Sequence, residues 1–308
     1  LSFMLSRRKF LKISTLSSIY AFGIMEPLSL LSKNENFEKL TILHTNDVHS
    51  RIDPFEGGKY DGMGGVAQRL EIINEIRKVE KNVLLLDCGD IFQGTPYFNL
   101  YGGELEIKAM SQMGYDAGTL GNHDFDNGIE GFVKQMPHAN FPFINGNYKF
   151  QDTLLEDRIE PYKIIRKGNI KIGIIAVGIE LKGLVPDRLY GNIQYTDPIV
   201  YANETAKFLK HEKNCDLVIC LSHSGYKYDA KKISDIILSK ESSNIDIILG
   251  GHTHTFLNEP QEQKNAAEKV VLVNQVGFGG IILGRIDVFF DKNIKHFRNN
   301  SLLVKISK

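Results

Sequence analysis

Short runs of β-branched and aliphatic residues, at 40–44, 83–86, 170–177, 217–221, 245–249 and 270–273, recur along the 308-residue chain. Between them, apolar residues at helical spacing mark 66–79, 104–113, 198–211 and 230–239. This alternation confines the chain to an α/β fold, because strands that are apolar throughout need cover on both sheet faces. The third helix opens at Thr196-Asp197-Pro198, a capping carboxylate followed by a proline in the first turn, where a missing N–H costs least. Two stretches break the alternation. Residues 162–166 and 170–177 are joined by Lys167-Gly168-Asn169, and 281–290 run through Asp291-Lys292-Asn293 into a last strand at 301–306. Both read as hairpins, so mixed rather than purely parallel sheets are expected. No internal repeat, Pro/Ser-rich linker or long charge run follows residue 40, which predicts a single domain over 39–308.

The chain carries 37 Lys and Arg against 37 Asp and Glu. A formal net charge of zero argues against a binder of long nucleic acid, which concentrates cations to displace counterions. The N-terminal stretch is read apart from the fold. Arg7-Arg8 precede a weakly apolar run at 13–25, too short to span a bilayer core of about 30 Å. This resembles a twin-arginine export signal, with 26–38 as a polar leader. Export to the periplasm is expected, with membrane anchoring if the signal stays uncut, and no transmembrane domain. Carriage in the folded state suits a protein that acquires a metal inside the cell. The three cysteines do not make a disulfide framework. Cys215 and Cys220, five positions apart, are expected on opposite strand faces, and Cys88 at a buried strand end; all three read as plain core residues.

The residues best suited to bind metal gather at predicted strand ends, where open α/β sheets place their ligands. The strand at 40–44 leads into Thr45-Asn46-Asp47-Val48-His49, and the strand at 83–86 into Asp87-Cys88-Gly89-Asp90. A short segment at 117–120 leads into Gly121-Asn122-His123-Asp124-Phe125-Asp126. The strands at 217–221 and 245–249 lead into Ser222-His223-Ser224-Gly225 and Gly250-Gly251-His252-Thr253-His254. Asp47 with His49, and His252 with His254, would straddle a strand if extended; beyond it, a turn aims both at one place. Carboxylates and imidazoles without a thiolate suit Zn, Mn, Fe or Co and disfavour a structural Zn–Cys site. The donors exceed the needs of one ion, and a carboxylate such as Asp90 could bridge two divalent metals about 3.5–4 Å apart, a spacing that activates water and clamps a phosphoryl group.

Asp-x-His, Gly-Asp, Gly-Asn-His-Asp, a lone His and Gly-His-x-His, in that order, resemble the calcineurin-like dinuclear metallophosphoesterases. The strings Ile42-Leu43-His44-Thr45-Asn46-Asp47-Val48-His49 and Gly121-Asn122-His123-Asp124-Phe125-Asp126 are similar to the 5′-nucleotidase branch, and the likeness runs from about residue 40 to the last residue. The resemblance implies a four-layer α/β/β/α sandwich of two mixed sheets flanked by helices. It implies one metal held by Asp47, His49, Asp90 and His254, and a second held by Asp90, Asn122, His223 and His252. It also places His123 over the phosphoryl group, steadied by Asp126, with attack by metal-activated hydroxide on a nucleotide or another small phosphoester. Secreted members of the branch resemble this chain only across their metal domain and continue into a second domain that grips the base. A separate chain carrying nucleotide specificity is therefore one expectation, and loose specificity for simpler phosphoesters another. A sulfur-ester hydrolase on the same scaffold and a metal-stabilised binding or assembly subunit complete the alternatives.

Other polar residues read as supporting parts. His44 precedes its turn and suits packing beside the site, and Asp87 suits orienting the turn to Asp90. His138, His211 and His296 sit among polar residues and read as solvated. Gly277-Phe278-Gly279-Gly280 lacks the Lys-Ser/Thr of a phosphate loop and is expected to be a tight hairpin. No Gly-x-Ser-x-Gly elbow is present.

Overall fold

A computed structural model describes residues 38–291 and 294–303. Residues 1–37 of the expected export segment, and 304–306 of the expected last strand, lie outside the described residues. The first part of the chain forms β1 (Glu38–Thr45), α1 (Val66–Val79), β2 (Val83–Asp87), α2 (Pro96–Tyr101), α3 (Glu104–Met113), β3 (Ala117–Gly118) and α4 (Gly128–Gln135). The middle forms β4 (Tyr148–Lys149), β5 (Tyr162–Lys167), β6 (Ile170–Gly178), α5 (Asp187–Tyr190), β7 (Gln194–Tyr195), α6 (Pro198–His211) and β8 (Leu217–His223). After these come α7 (Asp235–Glu241), β9 (Ile247–Gly250), β10 (Gln261–Lys264), β11 (Val270–Asn274), β12 (Ile282–Asp291) and β13 (Ile294–Leu303).

Two sheets organise these elements. One runs β13-β12-β1-β2-β3, the other β10-β11-β9-β8-β6-β5, and both mix parallel and antiparallel neighbours. Alternate side chains of each central strand enter different cores. Leu40 and Ile42 of β1, Leu84 and Leu86 of β2, Leu217 and Ile219 of β8 and Ile247 of β9 meet between the sheets. Leu43 and Leu85 turn outward onto Ile73, Ile107 and Met110 of α1 and α3. Val218 and Ile248 turn the other way, onto Ala202, Ala206 and Leu209 of α6 and Leu238 of α7. The layers are therefore helix, sheet, sheet, helix, which is why the strands read as unbroken apolar runs instead of alternating ones. No helix among the described residues is long and apolar enough to cross a membrane.

Local sequence accounts for several boundaries. Asp197 caps α6 as expected, its Oδ1 accepting from Ile199 N at 2.8 Å and Val200 N at 3.3 Å. The β5–β6 hairpin closes at Lys167↔Ile170 over Gly168, whose φ of +60° suits glycine. Three expectations change. The helix expected at 230–239 begins only at Asp235, because the Ser234 side chain caps it through Ile237 N. β13 begins at Ile294 instead of 301; it is an edge strand, and its run of Lys295, Arg298, Asn299 and Asn300 carries no apolar signal. The Gly277–Gly280 stretch is not a hairpin, because β11 pairs with β9 in one sheet and β12 pairs with β1 in the other. It is a crossover between sheets.

All three cysteines are buried and free. Cys215 and Cys220 nevertheless share the outer core under α6 instead of facing apart, since Cys215 precedes β8 and its N–H donates to Leu209 O at 2.9 Å.

His44 joins the sheets. Its Nε2 lies 2.8 Å from Asn274 Nδ2 at the end of β11, while its Nδ1 has no hydrogen-bond partner among the described residues. Burial pushes this imidazole down from 6.5 to about 3, so it stays neutral in the fold while the unfolded chain takes up a proton below 6.5. Its contribution is intact above pH 6.5 and is lost progressively as pH falls toward 3, by about 1.4 kcal/mol per unit. Denaturant titrations at about pH 7 and pH 5 are expected to show a loss of about 2 kcal/mol from this group. The loss shrinks in His44→Gln; an equal loss in that variant would assign the pH dependence elsewhere.

Candidate metal centre

Every donor singled out above lies past, or at, the C-terminal end of a strand of β1, β2, β3, β8 or β9. The turns are tight. Asp47, His49, Asp90, His252 and His254 all have left-handed backbones, with φ between 49° and 74°. Side chains other than glycine occupy this region at a cost, so surrounding contacts must hold them there. The β2 and β3 loops touch so closely that a Cβ on Gly89 would sit 2.5 Å from Gly121 N, which explains glycine there.

Two donor groups result, and in each the ligand atoms lie within 4.8 Å of one another: Asp47, His49 and His254, and Asp90, His223 and His252. Asn122 joins the second group, its Oδ1 lying 2.7 Å from His252 Nδ1. In the first, His49 Nε2 is 3.0 Å from His254 Nε2, and His254 Nε2 is 3.3 Å from Asp47 Oδ1. Asp90 Oδ2 is 3.1 Å from His223 Nε2 and 3.9 Å from His49 Nε2, so it reaches both groups.

Hydrogen bonds on the far sides of the rings set the tautomers. His223 Nδ1 donates to Cys88 O at 2.7 Å and His49 Nδ1 to Phe92 O at 3.2 Å, which turns each Nε2 inward toward the carboxylates. Lone pairs and carboxylate oxygens facing each other across about 3 Å repel unless something positive lies among them. Burial pushes the His223 imidazole down, but the Asp90 charge outweighs it and drives it up, so that without an ion a proton on Nε2 supplies the positive charge facing Asp90. Burial and the His223 charge hold His252 down at about 4, neutral as a ligating imidazole must be. The residues therefore fit a pair of divalent ions.

Several supports have roles that only the folded structure reveals. The Asp124 carboxylate accepts from the backbone N–H of Asp90, Ile91, Phe92 and Gly121 at 2.7–3.2 Å, tying the β2 loop to the β3 loop. Asn46 donates to Asp47 Oδ2 and to Gly277 O, both at 2.6 Å, and accepts from Val276 N at 3.0 Å. Gly279 N donates to Asp47 O at 2.7 Å, and the Phe278 ring stacks on His254 at 5.2 Å. The crossover between the sheets is thus part of the site. Asp87 orients its turn as expected: Oδ1 accepts from Gly89 N at 2.9 Å, Oδ2 from Thr45 Oγ1 at 2.5 Å, and burial pushes the carboxyl up to about 7. His211 is exposed and His138 half-buried, while the surroundings of His296 lie outside the described residues.

His123 stands beside the donors without joining either group. Its Nδ1 pairs with Asp126 Oδ2 at 2.9 Å, its ring meets His49 edge-on at 5.3 Å, and its side chain is 37% exposed. The bond to Asp126 raises its pKa above 6.5, favouring the protonated ring. A cavity of about 780 Å³ lies elsewhere, around Asn145, Tyr148, Glu156 and Gln194, and contains none of these donors.

The calcineurin-like phosphoesterase family matches residues 40–256. A snake venom 5′-nucleotidase of Crotalus adamanteus is 34% identical over 299 aligned positions, covering 87% of this chain and 48% of the venom protein. Among solved structures, the 5′-nucleotidase precursor of Thermus thermophilus superposes with a TM-score of 0.78 at 30% identity, over 87% of this chain and 55% of that one. The NAD nucleotidase of Haemophilus influenzae gives a TM-score of 0.77 at 27% identity, over 88% and 51%. The chain spans about half the length of the curated relatives it matches.

Proposed function

Because this chain belongs to the calcineurin-like phosphoesterases, in the 5′-nucleotidase family, we propose that it is a metal-dependent hydrolase of nucleotide phosphomonoesters. The observation that carries this is the pair of converging donor groups with their ring nitrogens and carboxylate oxygens turned inward. In this reading Asp47, His49, Asp90 and His254 hold one ion, and Asp90, Asn122, His223 and His252 the other. Bound there, Zn, Mn, Fe or Co would supply Lewis acidity for water activation and neutralise phosphoryl charge. His123, held by Asp126, donates a hydrogen bond or proton to the phosphoryl oxygens as negative charge develops. The names of the relatives support a nucleotide substrate, and cyclic nucleotides extend the same class.

The alternative of a metal-stabilised assembly subunit is less consistent with His123 and Asp126, since a structural site has no use for an unligated, half-exposed His–Asp pair. Export through the Arg7-Arg8 segment, and a separate chain that supplies base recognition, belong to the same proposal. The test is phosphate release from AMP, a cyclic nucleotide and p-nitrophenyl phosphate, with and without Mn, Zn or Co. Metal-dependent turnover with AMP preferred is expected; no turnover of any ester with each metal present would leave the assembly reading.

A further inference from the structure

Gln275 follows β11 directly, and its side chain is fully buried behind the turn that carries His252 and His254. Its Oε1 accepts from Thr255 N at 2.5 Å and from Thr253 Oγ1 at 3.0 Å, and its Nε2 donates to Gly251 O at 2.6 Å. These bonds fall before, between and after the two histidines, so one amide grips the turn at Gly251, Thr253 and Thr255. The turn needs holding, because His252 and His254 have φ of 74° and 51°. It also has no slack: a Cβ on Gly251 would come 2.9 Å from His223 Nδ1 and 3.0 Å from Asp47 Oδ2. Thr253 extends the grip, its Oγ1 accepting from Tyr226 N at 2.9 Å in the segment after β8.

A buried amide that satisfies a backbone donor, a backbone acceptor and a hydroxyl is hard to replace. An apolar side chain strands all of them, and a carboxylate strands the Gly251 carbonyl. We infer that Gln275 is the positioning residue of the His252–His254 turn, fixing both imidazoles in ligating register without touching an ion. The inference rests on the reading that these imidazoles ligate metal.

The test compares the full chain with Gln275→Leu and Gln275→Glu. Hydrogen exchange of the metal-free proteins should show residues 250–256 of Gln275→Leu opening at least about tenfold faster, the factor expected for losing even one of its three hydrogen bonds, with β8 unchanged. Co²⁺ affinity should fall by about 10–100-fold, the usual consequence of losing a ligand's support, with an altered cobalt absorption spectrum. Gln275→Glu, which keeps the acceptor, should fall between, and it carries the comparison if the leucine variant does not fold. Unchanged exchange in the turn, or faster exchange spread equally through β8, β9 and β11, would overturn the inference. If the wild-type chain takes up no Co²⁺, the metal reading fails, and the exchange comparison alone decides the role of Gln275.

Discussion

Asp90→Ala is expected to bind neither metal ion and to hydrolyse phosphoesters about a thousandfold more slowly or worse, equivalent to about 4 kcal/mol or more of barrier. Asp90 faces ring nitrogens of both donor groups, at 3.1 Å from His223 Nε2 and 3.9 Å from His49 Nε2. Burial opposes its charge, yet His223 more than compensates and holds the carboxyl well below its usual range. Its Oδ1 also accepts from His123 N at 2.8 Å, so the same side chain anchors the β3 loop. Removing it leaves two inward imidazoles without their counter-charge. The measurement is metal content after dialysis together with the hydrolysis rate, with far-UV circular dichroism to confirm the fold. An alanine variant that keeps both ions and most of its activity would show that Asp90 does not bridge.

His123→Ala is expected to separate these two readouts. It belongs to neither donor group, so metal content should be unchanged, while turnover falls by an amount corresponding to about 3–5 kcal/mol, the scale of a lost proton donor and charge stabiliser. The pH profile carries the sign. The bond to Asp126 raises the His123 pKa above 6.5, so the protonated ring persists above that pH and its contribution is lost as pH rises through the raised value. Asp126→Asn removes the anion, lets the ring lose its proton earlier and should shift that decline to lower pH, with a smaller loss of rate at the optimum. Loss of metal from His123→Ala would instead make this histidine a ligand.

Much of the fold was legible because the central strands are buried on both faces, so stretches such as 217–221 and 245–249 are continuous apolar runs. β13 was placed seven residues late because an edge strand needs no such run. The crossover at Gly277–Gly280 resembles a hairpin in sequence for a deeper reason: which sheet a strand joins is decided by distant partners, β9 for β11 and β1 for β12. The site shows the same division. Asp47, His49, Asp90, Asn122, His223, His252 and His254 stand out because chemically capable residues follow strand ends, and the structure brings them together. Asp124 and Asn46 fall inside the motif strings but their roles, like that of Gln275, do not show there, since each works by meeting backbone groups whose positions exist only after folding. The carbonyl of Cys88, which fixes the His223 tautomer, has no side-chain signature at all.

Each donor group draws on both sheets: Asp47 and His49 follow β1 while His254 follows β9, and Asp90 follows β2 while His223 and His252 come from β8 and β9. An ion in either group would therefore rivet the seam of the sandwich. On the proposed function, catalytic capacity and mechanical cohesion would be one property of this molecule, and a chelator that silences the first would loosen the joint between its two halves.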